Sequence, residues 1–330
     1  MIVPDFWAEA REQCRIKGRL VTIRRFGWSE LSPEEAQAMA RSRVAEAIEA
    51  AMTGEPTPRR ERKVAYNGSA GVPIREEVVA RFGPTVITRN SYGALCLNSP
   101  DVLFADIDFD EPYSNPLAVA GSIFFWALAV FVAINNNSPL AWLLIPIPTL
   151  IAGLSIKYFV QSTTKKFHVA RSGGIEVFYR KKISQFLASH LNWAIRLYRT
   201  PAGFRLIATH QRFSPHDADV AAFFEAIAAD PLYCRMCLNQ HCFRARLSAK
   251  PWRIGISQHL RPRPGVWPIN PDKIPMRTAW ITEYDQKAAA YAACRFIENL
   301  GNSQIDPDVA EVVSLHDQLS RALEPDLPLA

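Results

Sequence analysis

Charge is what this chain lacks across its middle. No charged side chain falls in Leu117–Ile134 or in Leu140–Ile156, and the connecting Asn135-Asn136-Asn137-Ser138-Pro139 carries none either. At about 1.5 Å per residue, runs of this length reach most of the roughly 30 Å hydrocarbon layer of a bilayer. The pattern therefore predicts a transmembrane helical hairpin that enters and returns. A hairpin buried in a globular core would ordinarily keep one polar stripe, and neither run has one. Lys157, Lys165, Lys166, Arg171, Arg180, Lys181 and Lys182 all lie beyond the second run. The positive-inside rule then puts both termini in the cytoplasm, with an inner membrane as the location and its lipid as a partner.

Other absences narrow the field further. The six cysteines show no framework spacing, which excludes a small disulfide-stapled secreted fold and suits a reducing compartment. There are no internal repeats and no extended low-complexity segment. Asp5, Glu9, Arg11 and Glu12 interrupt the first residues, so no cleavable signal peptide is expected. Ser172-Gly173-Gly174 lacks the Gly-x-x-x-x-Gly-Lys of a phosphate loop, and the histidines are too scattered to suggest a nucleophilic triad. Cys234, Cys237, His241 and Cys242 are zinc-type ligands, but without a second cysteine pair packed thiols are the default reading.

What remains is ample. The chain has 330 residues, a formal charge of +6, 48% hydrophobic and 21% charged residues, enough for one large or two small cores outside the hairpin. A basic balance suits nucleic acid, nucleotides or lipid without choosing among them. Strands are expected at Leu20–Phe26, Thr85–Arg89, Ala94–Leu97, Val102–Phe109, Ala194–Tyr198, Phe204–Ala208, Phe243–Leu247 and Arg253–Ser257, with a short one at Glu176–Tyr179. Ser32-Pro33-Glu34-Glu35 is a capping box that opens a helix to about Met52. Further helices are expected from Ser214, over Gln286–Leu300 and over about Val309–Leu323. The order implies an α+β body with a mixed sheet. It divides into an N-terminal part (1–115), the hairpin (116–158) and a C-terminal part (159–330).

Three segments carry potential chemistry. In Leu103-Phe-Ala-Asp106-Ile-Asp108, strand alternation puts Asp106 and Asp108 on one face, about 7 Å apart. Two such carboxylates make a hard oxygen site suited to Mg²⁺ or Mn²⁺ bearing nucleotide phosphates. In Arg199-Thr200-Pro-Ala-Gly203-Phe-Arg205, a strand, a turn and a strand could cradle phosphate through backbone N–H groups and Arg205. The third runs from Asp230 to Phe243-Arg244-Ala-Arg246-Leu-Ser248-Ala-Lys250-Pro-Trp252-Arg253. It adds a carboxylate, a hydroxyl and several cations, with Arg244 and Arg246 on one strand face. Each segment alone also reads as an ordinary strand end, hairpin or solvated strand.

Taken in order, these segments resemble the archaeo-eukaryotic primase superfamily. That family combines an Asp-x-Asp/Glu strand, a Ser/Thr-x-x-Gly-x-His turn, and a third aspartate followed by Phe-Arg and Ser-x-Lys. The matching residues are Asp106-Ile-Asp108, Thr200-Pro-Ala-Gly203-Phe-Arg205, and Asp230 with Phe243-Arg244 and Ser248-Ala-Lys250. Arg205 stands where the family has histidine. The resemblance implies a primase-like core, with Asp106, Asp108 and Asp230 as catalytic metal ligands. Thr200, Gly203, Arg205, Arg244, Ser248 and Lys250 would contact nucleotide phosphates, and the activity would be metal-dependent nucleotidyl transfer. The alternative is a non-catalytic anchored scaffold that uses its basic surface for a protein partner or anionic lipid.

Overall fold

A computed structural model describes residues 4–16, 18–59, 72–109, 116–136, 145–263, 267 and 269–330. The chain folds as two compact units. One joins Met1–Asp108 to Phe186–Ala330, and the other is Phe109–Gln185. The inserted unit is thus longer than the expected 116–158.

The larger unit is α+β, and the expected mixed sheet resolves into three antiparallel sheets. The first is a long hairpin, β1 (Phe6–Ile16) with β2 (Arg19–Ser29), covered by α1 (Pro33–Thr53). Ala10, Val21 and Ile23 meet Ala40, Val44 and Ala47 of the helix in a small core. Ser32 caps the helix by accepting from the Glu35 N–H. The return half of the expected capping box is relayed: Glu35 accepts from the Ser29 hydroxyl, whose oxygen accepts from the N–H groups of Leu31 and Ser32.

The second sheet has the order β10-β7-β8-β6, made from β6 (Phe104–Asp108), β7 (Ala194–Arg199), β8 (Gly203–Ala208) and β10 (Arg295–Gly301). The third has the order β3-β4-β5-β9, made from β3 (Glu77–Phe82), β4 (Thr85–Arg89), β5 (Leu95–Ser99) and β9 (Phe243–Arg246). Every residue of β4 and β8 is buried, including one arginine in each, Arg89 and Arg205, among otherwise apolar or small-polar residues.

Two sequence expectations fail in this unit for tertiary reasons. The helix expected over Gln286–Leu300 instead ends at Ala288, as the close of a helix from Ile274. Residues 295–301 form edge strand β10, whose bulge between Phe296 and Glu298 breaks the period-two pattern that would have revealed it. Pro251–Arg253 forms a 3₁₀ turn where a strand was expected to begin at Arg253.

The second unit carries helices α2 (Pro116–Asn136), α3 (Pro146–Arg171) and most of α4 (Ile175–Ser189). Residues 176–179 are helical here, not a strand. Trp126 Nε1 donates to Thr149 Oγ1 at 3.0 Å, tying α2 to α3. The expected transmembrane hairpin is not supported: among the described residues, no helix is long and apolar enough to cross a membrane. In α3 only Pro146–Ile156 precede Lys157, a rise of roughly 16 Å against a hydrocarbon layer of roughly 30 Å. Leu140–Leu144, the start of the second apolar run, lie outside the described residues. The inner-membrane location, the membrane-anchored function and the anchored-scaffold alternative fall with the hairpin. Phe124, Phe125, Phe131, Leu150 and Leu154 remain exposed.

Gly27 is the tightest joint of the hairpin–helix layer. A Cβ there would lie 2.2 Å from both Ala36 O and Ala40 N, which are backbone atoms that cannot swing aside. Gly27→Ala should therefore lift α1 off the sheet and destabilise this layer by about 1–3 kcal/mol. Faster amide hydrogen exchange across residues 6–53 is the expected readout, and unchanged exchange would contradict it.

Candidate functional site

Strands β6, β8 and β9 meet at the seam between the second and third sheets, and a cleft of about 310 Å³ opens there. It is lined by seven of the nine expected site residues: Asp106, Asp108, Thr200, Arg205, Asp230, Arg244 and Lys250. Segments 106–108, 200–205 and 230–250 therefore converge on one place. Gly203 and Ser248 do not line it. The Ser248 hydroxyl accepts from Leu95 N–H (2.8 Å) and meets Tyr284 Oη (2.7 Å), so it fastens the chain after β9 to β5 and to the helix of Tyr284.

Cross-strand register explains the centre of the cleft. Asp106 and Arg205 are direct partners on β6 and β8. Arg205 Nε donates to Asp106 Oδ1 at 2.8 Å and Nη2 to Oδ2 at 3.0 Å, a bidentate fork. The arginine is 2% exposed, and its Nη1 donates to the Arg246 carbonyl of β9 at 2.9 Å. Burial alone would lower its pKa, but the Asp106 carboxylate outweighs this and keeps it protonated. Arg244 is held similarly: its Nη2 donates to Glu76 Oε2 at 2.6 Å, and both side chains are nearly buried.

These pairings alter the roles read from the sequence. Both oxygens of Asp106 are engaged by Arg205. Asp230 is the N-cap of the helix Pro231–Gln240, where its carboxylate accepts from Leu232 N–H at 2.9 Å. Its own N–H donates to Asp106 O at 3.0 Å, which brings the two aspartates side by side through backbone. Among the described residues, no group of three His, Cys, Asp or Glu side chains could hold a metal ion. The expected Asp106–Asp108–Asp230 metal centre is thus not assembled, and a metal-binding label is not supported. The Thr200 turn is also self-contained. Thr200 Oγ1 accepts from the N–H groups of Ala202 and Gly203, so these are not aimed at a ligand.

The zinc-type set does not form either. Burial pushes the thiols of Cys234 and Cys242 up to about 11 and that of Cys237 well above its ordinary range, so all three stay protonated near neutrality. His241 caps the helix C-terminus in the left-handed conformation and meets His216 instead, with 2.9 Å between ring nitrogens.

Cations gather on the other wall. Lys250 lines the cleft, and its ammonium lies 5.6 Å from the Trp252 ring centroid. Burial first, then repulsion from Arg246 and Arg253, pushes its pKa below the ordinary 10.5, against a smaller pull from Asp108 and Asp106. Arg253 is likewise pushed down, by burial and then by Arg246, and its Nη1 is buried with no hydrogen-bond partner. For both cations burial is the main cause, repulsion between neighbouring cations comes second, and Asp108 opposes the shift. Sequence reasoning missed three lining residues of consequence, Glu76, Tyr92 and Met236. Only Tyr92 had a readable signal, the Asn90-Ser-Tyr-Gly93 turn between two strands.

No family model matches this chain, and neither a curated protein nor a solved structure does.

A buried network supports β7, the neighbour of β8. Asp317, on the helix Pro307–Ser320, accepts from Tyr198 Oη (2.7 Å) and Arg196 Nη2 (2.6 Å), and its Oδ1 lies 3.1 Å from His316 Nδ1. Burial would raise the Asp317 pKa, but contacts with His316, Tyr198 and Arg196 prevail and hold it below the usual carboxylate range. A depressed folded-state pKa contributes stability that is present above the unfolded value near 3.8 and lost as pH falls through the folded one.

Two outcomes follow and are checked by urea unfolding. Asp317→Asn should flatten the acid limb of stability below about pH 4. Asp106→Asn strips the partner from buried Arg205 and should cost about 3 kcal/mol, well above the cost of Asp108→Asn at the exposed end of the strand. Equal, small effects from the two aspartates would contradict the pairing.

Proposed function

We propose that the cleft binds the polyphosphate of a nucleoside phosphate on its cationic wall. The observation that carries this reading is the placing of Lys250 and Arg246 together on the lining of a cleft of about 310 Å³, with Arg253 close enough to repel Lys250. Clustered cations repel one another, and a phosphate group offsets that repulsion with several acceptor oxygens. The order and identity of the three segments, which resemble the primase superfamily, support a nucleotide over other polyanions. Binding is favoured over nucleotidyl transfer. A transfer centred on metal needs free, converging carboxylate oxygens, and Arg205 occupies those of Asp106. The residues present do not fit a resident metal, and no step is assigned to one.

Titration calorimetry with tripolyphosphate and ATP tests this. Wild-type protein should bind both, and binding should survive EDTA. Lys250→Met should weaken affinity about tenfold. Lys287→Met, an exposed change at a Glu283 ion pair, should leave affinity intact although it removes the same net charge. Because only the protonated amine attracts phosphate, affinity should fall as pH climbs through the lowered Lys250 pKa, and Lys250→Met should flatten that fall. Binding seen only with Mg²⁺ or Mn²⁺ would contradict the cation-wall reading and return the site to its carboxylates.

A further inference from the structure

Beside the cationic wall stands an aromatic pair that phosphate binding does not use. Tyr92 lines the cleft, and its ring packs edge-on against Trp252 with centroids 5.3 Å apart and planes at 61°. Trp252 is 52% exposed, although indole is among the costliest side chains to leave in water. Lys250 ties the pair to the phosphate wall, because its ammonium sits over the Trp252 ring while its side chain lines the cleft.

The pair is also held rigidly. Asn90 Oδ1 accepts from the N–H groups of Tyr92 and Ala94, closing the turn from within. Arg89 Nη1 donates to Gly93 O at 2.9 Å while its guanidinium pairs with Asp285. Gly93 has φ +103, and a Cβ there would lie 2.3 Å from the Trp280 ring, so the turn is pressed onto the helix Ile274–Ala288. On the other side, Trp252 sits in the 3₁₀ turn Pro251–Arg253, between Lys250 and Arg253 in the chain. An exposed aromatic on a fixed backbone beside a phosphate site is suited to stacking a base, which pays little ordering entropy on such a surface.

We infer that the exposed indole of Trp252, braced edge-on by Tyr92, is a stacking platform for the purine base of a free nucleoside triphosphate whose phosphates lie against Lys250. This assignment rests on the phosphate reading above and adds the ligand's second half to it. A flat indole discriminates by ring area, so purines should bind more tightly than pyrimidines and base-free polyphosphate more weakly than either.

The experiment is calorimetry on the full chain with ATP, CTP and tripolyphosphate, comparing wild type, Trp252→Leu and Trp252→Phe. ATP should bind wild type about tenfold more tightly than tripolyphosphate. Trp252→Leu should erase that advantage and Trp252→Phe should keep most of it, while tripolyphosphate binds all three proteins alike. An ATP advantage that persists in Trp252→Leu, or that is absent from wild type while tripolyphosphate binds, overturns the platform and leaves the phosphate site standing. Failure of tripolyphosphate to bind wild type overturns the phosphate reading and the platform with it. An unphosphorylated adenine oligonucleotide that binds as tightly as ATP, with the same dependence on Trp252, overturns the assignment to a free nucleotide.

Discussion

The buried pair of Arg205 and Asp106 is the constraint on which the site depends. Taking two charges out of water costs several kcal/mol per ion, and only good geometry offsets it. Here the register of β6 against β8 supplies that geometry, and the arginine fork meets both carboxylate oxygens. The remaining guanidinium nitrogen reaches the Arg246 carbonyl and so fastens β9 across the seam between two sheets. With the β5 ladder and the Ser248 contacts, that tie helps set where Arg244, Arg246 and the following Lys250 and Arg253 stand. Behind it, the Asp317 network braces β7 against the helix Pro307–Ser320.

The charges of the cleft consequently fall into two groups. Arg205 and Arg244 are buried, and Asp106 and Glu76 neutralise them, so these pairs serve the fold and shape the cleft floor. Lys250 and Arg253 are half-buried, and burial first and repulsion from neighbouring arginines second lower their pKa values, against the pull of Asp108. The first group explains why the aspartate that most suggests catalysis in the sequence is structural in this arrangement.

Much of the site was legible because its segments obey strand periodicity. Asp106 and Asp108 are the two residues of β6 that are not fully buried, and Arg244 and Arg246 alternate with buried Phe243 and Ala245, as a period of two requires. The Arg199–Gly203 turn and the Ser32 cap were likewise local signals. Pairing was not legible. Nothing near Asp106 announces a partner 99 residues away on β8, or that Glu76 would claim Arg244 from a distance of 168. Composition misled where length mattered. The absence of charge over 117–156 suggested a bilayer, yet the second helix starts at Pro146, so its apolar part is short and its basic part long. Cys237 and Cys242 are buried thiols and Cys234 a half-buried one, in keeping with the default reading of packed side chains.

The most direct measurement is a structure of the protein with bound ATP. The account predicts phosphates against Lys250 and Arg253, with Arg205 still forked to Asp106. Phosphates or a metal ion bound at Asp106, with Arg205 displaced, would contradict it.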